Sequence, residues 1–242
     1  MLWEGPSRLD AAPLAVILTL GASNRKTGDM DQTWILRSDV HPLEAVRYGK
    51  DRSICGDCRH RTRGQRSCYV TVQHGPANVW NAYRRGKYPK VTTTEAHARM
   101  RGRALRIGAY GDPVMVPAFV WTNLLDVVSG WTGYKHQWAN PAMTPTLYQS
   151  FLMASVETHA EHAAAQAAGW RTFRTRHALD GLLPGEIVCP ASLEAGHKTT
   201  CLSCRICRGA SGSGTTKSVA IYAHGPGRLV FFRSAQAALQ GV

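Results

Sequence analysis

Seven cysteines fall into two groups, and their spacing sets the chemistry open to this chain. The front group is Cys55-Gly-Asp-Cys58, followed after nine residues by Cys68. The back group is Cys189-Pro-Ala and then Cys201-Leu-Ser-Cys204-Arg-Ile-Cys207. An odd number at close spacing argues against a disulfide framework. Two-residue gaps let a tight loop aim two sulfurs at one centre. The back group supplies four thiolates, enough for structural zinc or a four-iron cluster. Its Cys-x2-Cys-x2-Cys run with a Cys-Pro is a ferredoxin-like spacing. The front group supplies three, unless His60 or His74 completes it, and three thiolates leave one iron of a four-iron cluster open to a ligand. The expectation is one closed and one open iron–sulfur site. Zinc at both, with a histidine filling the gap, is the alternative.

The charge points to a polyanionic partner. Lys and Arg total 29 against 16 Asp and Glu, a net charge of +13. From Arg84 to Arg106 eight cations face only Glu95, and from Arg47 to Arg66 seven face Asp51 and Asp57. No acid follows Glu194. Basic surface attracts phosphates by releasing counterions, so DNA or RNA is the leading partner. Nearby cations also favour thiolates and balance an anionic cluster.

The only membrane-like stretch is Ala11–Leu20, far short of the roughly 20 residues that span a bilayer. A buried first strand is favoured over a signal peptide, and hence the cytoplasm, or the host cytoplasm for a phage-encoded chain.

The elements that must position the cysteines alternate. Strands are expected near Leu14–Leu20 and Thr33–Leu36, outside the regular unit. After Cys68 come a strand at Tyr69–Gln73, a helix at Ala77–Arg85, a strand at Leu105–Tyr110 and a helix at Pro117–Ser129. A strand at Tyr134–Trp138, a short helix at Thr144–Gln149, a strand at Phe151–Val156 and a helix from His159 to Ala168 follow. Trp170–Thr175, Ile187–Cys189 and Ser218–Tyr222 read as further strands. Such alternation implies right-handed crossovers and a parallel sheet. The expected fold is α/β, a partial (β/α)6-type barrel with mostly parallel strands and cysteine-rich extensions at both ends. Its segments are 1–67, an extension with the front cysteine loop; 68–190, the barrel core; and 191–242, the back cysteine-rich extension.

Barrel chemistry gathers at the carboxyl ends of strands. Three such ends carry polar groups: Gly111-Asp112-Pro113, Ser155-Val-Glu157-Thr158 and Cys189-Pro190. A simple turn competes for the first, and a helix cap on Ser155 or Thr158 for the second. Trp80, Tyr83 and Tyr110 are stacking candidates, with core packing as their competing role. Asn24–Gly28 is a polar turn that could touch phosphate, with a surface loop as the plainer alternative. Gly209–Lys217 lacks a phosphate-loop ending and reads as a linker. His159 and His162 lie one turn apart without a zinc signature, and no Ser–His–Asp order is evident.

Three cysteines near the first barrel strand, with Tyr110-Gly111-Asp112-Pro113 placing Asp112 44 residues after Cys68, resemble the radical S-adenosylmethionine (radical SAM) enzymes. In that family a Gly-Gly-Glu-Pro motif on the second strand binds the methionine amino group, and a polar pair on the fourth strand holds ribose or carboxylate. The resemblance implies a four-iron cluster on Cys55, Cys58 and Cys68, with S-adenosyl-L-methionine oriented by Gly111, Asp112, Pro113, Ser155 and Glu157. Cys189, Cys201, Cys204 and Cys207 would hold an auxiliary cluster, and an external electron donor would be needed. The chain departs from the family in its Cys-x2-Cys-x9-Cys front spacing, in Ser67 before the third cysteine, and in Asp112 for the usual Glu. It is also similar to small cysteine-rich phage proteins, a likeness that assigns no residue roles. The basic surface suggests a nucleobase in DNA or RNA as substrate. A phage setting would suit hypermodification of a DNA base, by isomerase or mutase chemistry such as rearrangement of an amino-acid adduct on a pyrimidine, or by a base-modifying transferase. The rivals are a non-catalytic nucleic-acid-binding protein braced by zinc or iron–sulfur, and an electron-transfer or redox-sensing protein.

Overall fold

In a computed structural model, residues 1–22, 24–210 and 217–239 are described, with side chains given as far as residue 234. The chain begins as an antiparallel meander of β1 (Trp3–Pro6), β2 (Pro13–Thr19) and β3 (Asp31–Arg37). Within Ala11–Leu20, Leu14 to Ile17 are fully buried, so this aliphatic run is a core strand. Helices α1 (Pro42–Tyr48) and α2 (Arg52–Cys55) lead into the front cysteine loop, and α3 (Gly75–Arg84) and α4 (Thr93–Met100) follow it. Thr92 and Glu95 start α4 with a reciprocal capping box.

The strands then alternate with short helices. β4 (Ala104–Tyr110) leads to α5 (Phe119–Leu125), β5 (Gly130–Lys135) to α6 (Leu147–Phe151), and β6 (Met153–Val156) to α7 (His159–Ala167). Next come β7 (Thr172–Arg176), β8 (Glu186–Val188), α8 (Cys201–Cys204), β9 (Ser218–Tyr222) and α9 (Arg228–Leu239). They form one open nine-stranded sheet in the order β1-β2-β3-β4-β5-β6-β7-β9-β8. Every pairing from β3 onward is parallel. The fold is mixed α/β. No helix among the described residues is long and apolar enough to cross a membrane.

Several expectations change. The strand at Thr33–Leu36 is not outside the regular unit, because β3 pairs in parallel with β4. Strands from all three expected segments share the sheet: β1–β3 before residue 67, β4–β8 between 68 and 190, and β9 beyond 191. Tyr69–Gln73 forms no strand: Val70 and Val72 pack on the core from a loop, while Tyr69 is 43% exposed. The strand placed at Tyr134–Trp138 runs instead from Gly130 to Lys135. Its glycines signal a break in sequence, yet Gly133 admits the close approach of the Leu152 side chain. Residues 211–216 of the expected linker lie outside the described residues.

Candidate functional site

A parallel sheet sends alternate side chains to opposite faces. On one face Arg106, Gly108 and Tyr110 of β4, Thr132 and Tyr134 of β5, Ser155 of β6, and Phe173 and Thr175 of β7 line a cavity of about 380 Å³. On the other, Leu105 and Ile107 enter the main core and Lys135 is wholly buried beside Trp170. The front loop contributes Cys55, Cys58 and Cys68 to the cavity wall, and the back set contributes Cys201. Both cysteine groups therefore meet one internal space. Cys189 and Cys207 lie in a second apolar cluster with Met153, Val219 and Ile221, while Cys204 ends α8.

Hydrogen-bond donors reach four of these sulfurs. The amide N–H of His60 donates to Cys58, that of Val70 to Cys68, and that of Ala191 to Cys189. Tyr134 hydrogen-bonds Cys207. Burial still dominates the bare thiols, lifting Cys58 to about 12 and Cys68 to about 11, with Cys55 and Cys207 pushed well up. These sulfurs give up their protons when a cation takes the proton's place.

Zn–S bonds of about 2.3 Å in a tetrahedron put ligand sulfurs about 3.8 Å apart. Among the described residues the one trio of His, Cys, Asp or Glu with ligand atoms all within 4.8 Å of one another is His60, His136 and Glu157, so no three cysteine sulfurs stand that close.

Neither histidine raised as a fourth front ligand is free to serve. His60 Nδ1 bonds Ser67 Oγ at 2.7 Å and Nε2 bonds Glu157 Oε1 at 2.9 Å. His74 is an exposed residue at the start of α3, away from the cavity wall. His60, His136 and Glu157 have ligand atoms close enough to hold a metal ion, and Arg59 stands 3.4 Å from Glu157 beside them. Burial by itself would raise the Glu157 carboxyl, but the His60 hydrogen bond and the charges of His136 and Arg59 hold it below the usual range.

The strand-end residues divide by what their side chains touch. Gly111 lines the cavity at φ +85°, and a Cβ there would stand 2.7 Å from Ile35 Cβ, so this tight turn requires glycine. Asp112 is buried with both carboxylate oxygens engaged: Oδ2 accepts the amides of His136 at 2.7 Å and Gln137 at 3.3 Å, and Oδ1 accepts that of Val114 at 3.1 Å. Its own amide donates to Ile54 O at 2.6 Å, tying this turn to α2. Asp112 and Pro113, which opens a 3-10 turn, fix the loop rather than reach a ligand through the carboxylate. Ser155 lines the cavity, and Thr158, not Ser155, caps α7. Glu157 stands behind His60 rather than in the cavity wall.

Tyr110 departs from the stacking role expected. It is buried against the cavity, and its hydroxyl has no hydrogen-bond partner. An unpartnered buried hydroxyl costs about 1–3 kcal/mol, and the ring packs in the main core, the competing role expected for it. Trp80 donates to Arg37 O at 2.8 Å and Tyr83 to Glu4 at 2.6 Å, which commits both to packing. His162 is buried against Thr172, so the His159–His162 pair is no metal site. Sequence spacing missed His136, Tyr134 and His224, since only the fold brings them to the cavity.

Comparison with protein-family models, curated proteins and solved structures finds no match to this chain.

Proposed function

We propose that this chain is a radical SAM enzyme with a partial-barrel fold, acting on a base in DNA or RNA. The observation that carries the reading is the convergence of Cys55, Cys58, Cys68, Gly111 and Ser155 on one cavity at a parallel sheet. The six strands β3-β4-β5-β6-β7-β9 are parallel neighbours in chain order, as a partial barrel requires. The front cysteines follow the first of these strands, Gly111 ends the second, and Ser155 lies on the fourth. That succession is the order the resemblance leads one to expect, with Asp112 and Glu157 departing from their expected roles.

Cys55, Cys58 and Cys68 would hold a four-iron cluster with one open iron, and Cys189, Cys201, Cys204 and Cys207 an auxiliary cluster. Bound there, the cluster and S-adenosylmethionine supply a carbon radical strong enough to take hydrogen from an unactivated position. The chain's own residues do the positioning. The Gly111 turn allows close backbone approach, Ser155 lines the cavity with a hydroxyl to offer, and Asp112 holds the turn against α2. Glu157 orients His60 beside Cys58 and Ser67. The auxiliary set, through Cys201, reaches the same space and suits electron relay.

Exposed cations give the outer surface a polyanion-binding character: Arg63 and Arg66 on the front loop, and Arg84, Arg85, Lys87 and Lys90 around the end of α3. A base must leave its stack to enter the cavity.

Metal and sulfide analysis after anaerobic purification tests the reading. It expects about eight irons with matching sulfide, from two four-iron units. Stoichiometric zinc without iron would favour the binding protein with structural metal sites.

A further inference from the structure

The turn Asn24–Gly28 is built for a purpose beyond linking strands. Asn24 Oδ1 accepts the amides of Lys26 at 2.9 Å and Thr27 at 3.2 Å, and the Gly28 amide returns to Asn24 O at 2.8 Å. The carbonyls of Lys26 and Thr27 then receive the amides of Cys201 and Leu202 at 2.8 and 3.0 Å. The turn is thereby fastened to the back cysteine helix, with Lys26 in the cavity wall.

Arg106 enters the same wall from β4, where Nη2 donates to Tyr69 Oη at 2.8 Å. Among the described residues lining the cavity, Asp112 is the only acid, and its oxygens already serve backbone amides. The Lys26 ammonium rests 5.8 Å from the Phe173 ring centre. Two half-buried cations without a facing carboxylate leave the cavity electropositive and receptive to an anion. His224, on the same wall, reports this field: burial first, then Lys26 and Arg106, draw its pKa down to about 4 and keep the ring neutral.

We propose that Lys26 and Arg106 form an anion subsite that takes a carboxylate or phosphate group of the substrate, next to the auxiliary cysteine set. Flat walls flank it. Tyr69 stacks on His224 at 5.7 Å and Phe173 leans on Tyr134 at 4.3 Å, so a planar base bearing an acidic group is the complementary ligand. Lys26 sits on the turn bonded to Cys201 and Leu202, whereas Arg61 of the front loop is paired with Asp51. The subsite is assigned to the substrate because its turn is fastened to the back cysteine helix and not to the front loop. Its identification as a substrate site rests on the function proposed above.

Calorimetric titration of the anaerobically purified protein, saturated with S-adenosylmethionine, tests it. The probes are a nucleoside, its 5′-monophosphate, a nucleoside carrying a carboxymethyl group on the base, and the carboxamide of the last. One anion should bind about tenfold more tightly than its neutral counterpart, and which one does so names the source of the charge. Lys26→Met, which keeps the carbonyl bond to Cys201, should cut that preference to below about threefold, and Arg106→Lys should retain part of it. Equal affinities in the parent protein would overturn the proposal. So would a preference that survives in both Lys26→Met and Arg106→Met, as expected if the cations only offset cluster charge. A preference seen without S-adenosylmethionine and erased by it would assign the pair to the cofactor, and would also overturn it. Deoxyadenosine release, measured in parallel, separates the two claims. Release without an anion preference rejects the subsite alone; a preference without release rejects the radical reading and leaves the subsite standing.

Discussion

His60 Nε2 lies 2.9 Å from Glu157 Oε1, and this bond ties the front cysteine loop to the end of β6. Arg59, from the same loop, reaches both Glu157 and Glu161, so the loop is held to the sheet by charge as well. Glu157→Gln keeps an acceptor for His60 but removes the charge that faces Arg59 and His136. Groups that orient a metal site from behind the ligands contribute about 10–100-fold to metal affinity or activity. The variant should retain front iron at least about tenfold less well, read as iron per chain after mild chelation. Unchanged retention would show that the tie is dispensable.

Arg171 makes the matching tie at the back site. Its guanidinium donates to the carbonyls of Ile206 at 3.1 Å, Gly209 at 2.5 Å and Lys217 at 3.1 and 2.6 Å, which clamps the chain on either side of the segment after Cys207. Arg171→Ala strands those carbonyls in a buried place. The expected loss is about 3 kcal/mol, or roughly 5–10 °C in Tm. Iron should fall from about eight to about four per chain, the loss confined to the auxiliary set. Equal loss from both sets would argue against separate anchoring.

Lys135 gives the fold a predictable pH dependence. Its side chain is fully buried, Nζ has no hydrogen-bond partner, and the ammonium lies 4.1 Å from the Trp170 ring centre. Burial draws its pKa down to about 7, with Arg8 adding to the effect and Asp112 opposing it. The Trp170 face favours the charged form and offsets part of the burial. An unfolded lysine titrates near 10.4, so from about pH 7 to 10 the unfolded chain holds a proton that the folded chain lacks. The Lys135 contribution to stability therefore rises with pH across that window and is least favourable below pH 7. Lys135→Met should raise stability at pH 6 by on the order of a few kcal/mol and flatten the rise above pH 7 relative to the parent. Parallel pH profiles for the two proteins would contradict this assignment.

Much of the site was legible because cysteine spacing is local. The two groups, the Gly111-Asp112-Pro113 turn and Ser155 could all be marked from short motifs, though of the cysteines only Cys189 directly follows a strand. The roles of Asp112 and Glu157 were not legible, since an acid's partners come from elsewhere in the chain: His136 and Gln137 for the first, His60 and Arg59 for the second. Strand register failed where glycine serves packing, as at Gly133, and where alternating valines serve a loop, as at Val70 and Val72. The place of β3 as the first parallel strand was hidden by its antiparallel partner β2.

The basic loop surface makes a separate prediction. Arg63 and Arg66 are exposed on the front loop, while Arg61 is engaged with Asp51 at 2.6 Å. Replacing Arg63 and Arg66 together by Ala should weaken single-stranded nucleic acid binding similarly for all sequences. The slope of log K against log salt should drop by about 1.4 units, about 0.7 for each cation on a single strand. An unchanged slope would move the phosphate path elsewhere.

The most direct test of the central claim is deoxyadenosine release from S-adenosylmethionine after anaerobic reduction. Release is expected from the parent protein, and Cys68→Ala should abolish it. No release from protein carrying its full iron, or undiminished release from Cys68→Ala, would contradict the account.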